Sequence, residues 1–136
     1  MKPGALVEHG APGYSYSQAA AGNDTEQLAG ILASGISPDF RPTDQGRTPL
    51  GLAVWNNHPE SVGILLDAGA DPEAAMGEYR ETTALRYAAP RRMVNVAQRL
   101  LAAGAQPDGR LDEGQETPLM LAAAQGDLEM TQLLLS

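Results

Sequence analysis

The stretch Leu65-Leu66-Asp67-Ala68-Gly69-Ala70-Asp71-Pro72 has two companions in the same chain, one running from Ile31 to Pro38 and one from Leu100 to Pro107. Aligned on Gly35, Gly69 and Gly104, further positions fall into register. Thr48-Pro49-Leu50, Thr83-Ala84-Leu85 and Thr117-Pro118-Leu119 coincide, and the threonines lie 35 and 34 residues apart. Five residues after each Thr comes Ala53, Ala88 or Ala122; one period before Thr48 stands Tyr14, followed five residues later by Ala19. The aliphatic pairs Ile31-Leu32, Leu65-Leu66, Leu100-Leu101 and Leu134-Leu135 keep the same spacing. A chain written four times at this period cannot bury its apolar face within one unit, so the units must stack and share a core.

Each recurring residue has a local task. The Thr hydroxyl can cap a free backbone N–H, and Pro at the first helical position has no N–H to leave unsatisfied. Alanine in the shared column lets neighbouring helices approach closely. Asn57-His58-Pro59-Glu60 marks a turn and a second helix start. The aliphatic pair then faces the core, and the glycine three residues later suits a left-handed cap that a Cβ would strain. Pro38, Pro72 and Pro107 stop the helix from resuming. One unit is therefore expected to be helix, tight turn, helix and protruding loop, giving an all-α solenoid.

TPLGLAVWNNHPESVGILLDAGADP, from Thr48, resembles the ankyrin repeat, whose pattern opens T-P-L-H-x-A and closes on LL-x-x-GAD; TPLMLAAAQGDLEMTQLLL, from Thr117, matches as well. The resemblance covers about residues 14–136 and implies four repeats, near 14–47, 48–82, 83–116 and 117–136, behind a flexible leader of residues 1–13. The sequence departs from the pattern at Gly51, Arg86 and Met120, which stand where the family's loop-bracing His belongs, and at Tyr14 in the place of the first Thr. The resemblance also implies a non-catalytic module that binds a protein partner in a groove lined by loop tips and the ends of the first helices. Small free-standing ankyrin proteins include stoichiometric inhibitors and neutralising, immunity-type partners of enzymes or toxins, which is the alternative reading.

Composition narrows the remaining classes. No cysteine is present, so thiol catalysis and zinc-thiolate sites are excluded. No HExxH, phosphate-binding glycine loop or Gly-x-Ser-x-Gly elbow occurs, and no cofactor or metal is expected. His58 is expected to brace its turn, and the loop carboxylates Asp71, Glu73, Asp112 and Glu113 are expected to be solvated. A net charge of −8 disfavours nucleic acid and anionic membrane surfaces. Neither a signal peptide nor a membrane span is visible, so a cytoplasmic location is expected. The charge is uneven: no acid occurs between Glu81 and Asp108, where Arg86, Arg91, Arg92 and Arg99 form one basic band.

Scaffold residues repeat, so recognition belongs to what differs between copies. The groove columns carry Trp55, Asn56, Arg91 and Gln125, and the loops ahead of the helices carry Asp44, Arg47, Tyr79 and Arg80. Trp, Tyr and Arg dominate binding hot spots because each buries much area and still offers polar contacts. These eight residues are the candidate partner-binding set, with Trp55, Tyr79, Arg80 and Arg91 expected to adjoin one another. Met130, Leu133 and Leu134 are expected on the terminal face, where the last helix offers a surface for self-association.

Overall fold

The computed structural model describes residues 12–40, 48–73, 83–107 and 116–136. Regular structure there is helical throughout: α1 (Pro12–Ala21), α2 (Thr25–Ala33), α3 (Pro49–Trp55), α4 (Pro59–Asp67), α5 (Ala84–Ala88), α6 (Val94–Ala102), α7 (Pro118–Ala124) and α8 (Leu128–Leu135). The first helices α1, α3, α5 and α7 pack in sequence as one layer, and the second helices α2, α4, α6 and α8 form another behind it. The all-α ankyrin solenoid read from the sequence is the fold.

The caps act where the repeats place them. Thr48, Thr83 and Thr117 each accept a hydrogen bond from the backbone N–H three residues on, with Pro49 and Pro118 opening their helices. Asp24 and Asp127 cap α2 and α8 in the same way. Gly35, Gly69 and Gly104 adopt φ of 100°, 102° and 103°, the left-handed region that a Cβ would strain. The alanine column, Ala19, Ala53, Ala88 and Ala122, is buried to within 1%. Around it the core is mainly aliphatic, with Leu28, Val54, Val62, Leu65, Leu85, Val96, Leu100 and Met130 all at or near zero exposure.

Four features depart from the sequence reading. First, α1 takes in Tyr14, which lies inside its first turn rather than ahead of it as the threonines do. Second, α5 is two residues shorter than α3 and α7, giving way to a 3-10 turn at Ala89–Arg91. Pro90 lacks an N–H and its ring crowds the preceding turn, so the α-helix cannot run through it.

Third, loop carboxylates join consecutive repeats, through Glu73, which was expected to be solvated, and through Asp39, which the sequence reading did not single out. Asp39 accepts the Asp71 N–H at 3.1 Å, and Glu73, one period later, accepts the Gln106 N–H. Asp71 in turn accepts the Glu73 N–H at 2.9 Å. Asp112 and Glu113 lie outside the described residues. Fourth, Met130 (0%) and Leu134 (4%) are buried and Leu133 is half-buried, while Leu128 and Leu135 stand 69% and 67% exposed. Met130 and Leu134, four residues apart, share the stripe of α8 that faces the core.

Candidate surface for partner binding

The turn that follows each first helix sets the site. At its second residue the chain adopts left-handed φ in every copy: 58° at Asn23, 57° at Asn57, 59° at Arg92 and 68° at Gly126. That reversal projects the preceding two positions outward, the columns of Trp55 and Asn56, Pro90 and Arg91, Ala124 and Gln125.

Trp55 ends α3 with 46% of its surface exposed. Its indole stacks on the phenol of Tyr87 in the next repeat, with ring centroids 5.1 Å apart and planes 21° from parallel. The Arg91 guanidinium lies 3.8 Å from the centroid of the same Tyr87 ring, and Arg91 Nη1 donates to the Tyr87 carbonyl oxygen at 2.9 Å. Tyr87 and Arg91 are four residues apart, the spacing at which helical side chains meet, and the 3-10 turn keeps Arg91 close enough to use it. The stack, worth ~0.5–1.5 kcal/mol, and the cation–π contact hold the three groups as one half-exposed platform.

Of the eight candidate residues, Trp55 and Arg91 are therefore brought together, through Tyr87. Asn56 and Gln125 are exposed at the equivalent turns on either side, and the Asn56 amide donates to the Leu52 carbonyl oxygen at 2.8 Å. Asp44, Arg47, Tyr79 and Arg80 lie outside the described residues. The sequence reading missed Tyr87. Its signal was present: Tyr87 occupies a column that is Gln18, Leu52 and Leu121 in the other copies. Trp55 and Tyr87 sit in columns three residues apart, one helical turn, and only the stacking of repeats shows that they meet.

The basic band divides. Arg86 lies at the start of α5, where its Nε donates to the Glu116 carbonyl oxygen at 2.6 Å and so braces the loop that leads into α7. Arg92 is 65% exposed with its Nε 4.0 Å from Asp127 Oδ2. Arg99 belongs to the second layer: it lies over Gly63, where any Cβ would run into its guanidinium, beside an open groove between α4 and α6. His58 braces its turn as expected. Its Nε2 lies 3.0 Å from the Ala21 carbonyl oxygen, which can only accept, so Nε2 carries the proton.

Among the described residues no group of three His, Asp or Glu is placed to hold a metal, and no helix is long and apolar enough to cross a membrane. The Tyr16 hydroxyl is buried, with no hydrogen-bond partner among the described residues. Burial and, after it, the nearby Asp39 carboxylate push its pKa up to about 12.

Two family profiles match the chain, one described as "Ankyrin repeats (many copies)" over residues 85–135 and one as "Ankyrin repeat" over residues 45–76. Together they span more than half of the sequence, and with the stacked helix pairs they place the chain in the ankyrin repeat family. Its repeats generally mediate protein–protein interaction without catalysis. Similar curated proteins include BRCA1-associated RING domain protein 1 of Caenorhabditis elegans, 42% identical over 61% of this chain and 11% of that protein. Protein PhlB of Serratia liquefaciens is 38% identical over 81% of this chain and 47% of its own length. A Transient receptor potential cation channel subfamily A member 1 homolog of C. elegans is 33% identical over 81% of the chain and 9% of that protein. The chain thus spans less than half the length of each of these relatives.

Proposed function

We propose that the protein binds a protein partner across its first-helix layer, with Trp55, Tyr87 and Arg91 as the central anchors and Asn56 and Gln125 beside them. The observation that carries the reading is the platform itself. A tryptophan 46% exposed, stacked on a tyrosine that also holds an arginine, joins the three residue types that dominate hot spots, and the helix ends hold them rigid. A scaffold role alone does not require an indole there, since the same column holds Ala21, Pro90 and Ala124 in the other copies.

Affinity capture from the native source with wild-type protein and with Trp55→Ala/Arg91→Glu tests this reading. A protein retained by the wild type and lost with the double variant supports it, with affinity expected to fall by at least ~2 kcal/mol, about thirtyfold. Equal retention by both overturns the site assignment and leaves the fold untouched.

For the alternative of a neutralising inhibitor, the acidity that would suit a basic toxin lies on the second helices and loops rather than on this platform. Self-association through α8 would use Leu128 and Leu135, because Met130 and Leu134 are already committed to the core. Sedimentation of a Leu128→Glu/Leu135→Glu variant beside the wild type tests it; identical profiles dismiss that contact.

A further inference from the structure

We infer that the partner presents an acidic, extended segment to this surface, its carboxylates meeting Arg91 and Arg92 while an apolar side chain lies against Trp55. The inference rests on the reading of this layer as the binding surface and adds the partner's chemistry.

The basis is a segregation of charge that the net value of −8 conceals. The first helices α1, α3, α5 and α7, together with the turns that follow them, contain Arg86, Arg91 and Arg92 and not one Asp or Glu. The described acids lie elsewhere. Glu26, Glu60, Asp67 and Glu129 are on second helices, Asp24 and Asp127 are their N-caps, and Asp39, Asp71, Glu73 and Glu116 are in the loops. Asp127, 4.0 Å from Arg92, has a side chain only 10% exposed and already caps α8 through its other oxygen. Among the described residues, an acidic segment therefore meets only positive charge on the first helices and acids on the second, which favours one orientation and a faster encounter.

Local geometry agrees with that sign. Arg91 donates one N–H to the Tyr87 carbonyl and rests on the Tyr87 ring, so among the described residues four of the guanidinium's five N–H groups remain for a carboxylate. Its side chain is held before any partner arrives, which lowers the entropy lost on binding and suits bidentate pairing. The first and fourth copies offer uncharged groups at the same height, Ala21 and Gly22 on one side and Ala124 and Gln125 on the other. Trp55 and Gln125 are two repeats apart, so at ~10 Å between packed helices a strand crossing between them spans ~20 Å. About six extended residues cover that distance.

A random-peptide phage library panned on the wild-type chain, on Trp55→Ala and on Arg91→Glu/Arg92→Glu tests this, with thermal melts confirming that each variant folds and Arg92→Glu alone as a milder charge reversal. The expected result is enrichment of peptides that join Asp or Glu to an apolar residue on the wild type, and loss or reversal of the acidic bias on the charge-reversed proteins. A synthetic winner should perturb the fluorescence of Trp55, the only tryptophan in the chain. Its affinity should fall about tenfold or more on charge reversal and also weaken with salt. Neutral or basic winners, or no winners, overturn the inference. If such winners still require Trp55, the binding surface stands with a different chemistry; if they ignore Trp55, both readings fall.

Discussion

Two seams at the same height of the stack are built in opposite ways. Between the first and second repeats, polar side chains spend their hydrogen bonds on one another. His58 reaches the Ala21 carbonyl, the buried Ser61 hydroxyl donates to Asn23 Oδ1 at 2.6 Å, and Asn23 Nδ2 points at Glu60. Between the second and third repeats the columns of His58 and Ser61 are held by Met93 and Val96, which offer no comparable hydrogen bonds. That seam instead carries the Trp55–Tyr87–Arg91 stack, with half the indole in solvent. Groups satisfied within the fold stabilise it and have little left for a partner. Groups stacked but uncovered keep area to offer, and Arg91 keeps guanidinium N–H groups as well.

The largest effects should separate the two seams. Asn23→Gly keeps the left-handed backbone but strips the partner from a buried hydroxyl, and should cost ~1–3 kcal/mol in denaturant unfolding with partner affinity unchanged. Trp55→Ala should cost stability only about as much as a lost aromatic pair, ~0.5–1.5 kcal/mol, while affinity falls by more. The contrast fails if Asn23→Gly weakens binding more than Trp55→Ala does.

Next in size is the behaviour of Tyr16, which stacks on Phe40 with centroids 6.5 Å apart at the first-repeat end. Its folded pKa is about 12 against an ordinary 10.0, so the folded chain holds a proton that the unfolded chain gives up first. That contribution is complete below pH 10 and is lost as pH rises towards 12. Tyr16→Phe should therefore flatten the loss of stability across that alkaline window, and an unchanged slope in pH-resolved melts would refute the assignment.

The smallest expected effect is at Arg92, a non-glycine residue at φ 59°. Arg92→Gly relieves ~1–2 kcal/mol of left-handed strain but frees the unfolded chain, for a net gain of about 0.5 kcal/mol. The same variant removes a positive charge from the surface, so a small rise in melting temperature should accompany weaker binding of an acidic peptide.

The sequence by itself determined the architecture. Thr48-Pro49, the alanine column, the aliphatic pairs and Gly35, Gly69 and Gly104 act within one turn of helix or one loop, so local steric and hydrogen-bonding rules suffice to read them. It also placed Trp55 and Arg91 among the candidate residues, because each breaks its column. It could not show that Tyr87 joins them, or that Asp39 and Glu73 tie one loop to the next. Those facts depend on distances between residues some 30 positions apart, which only the stacking of one repeat on the next decides. The acid-free first-helix layer has the same origin: stacking sets Arg86, Arg91 and Arg92 of the third repeat between first helices that carry no Asp or Glu.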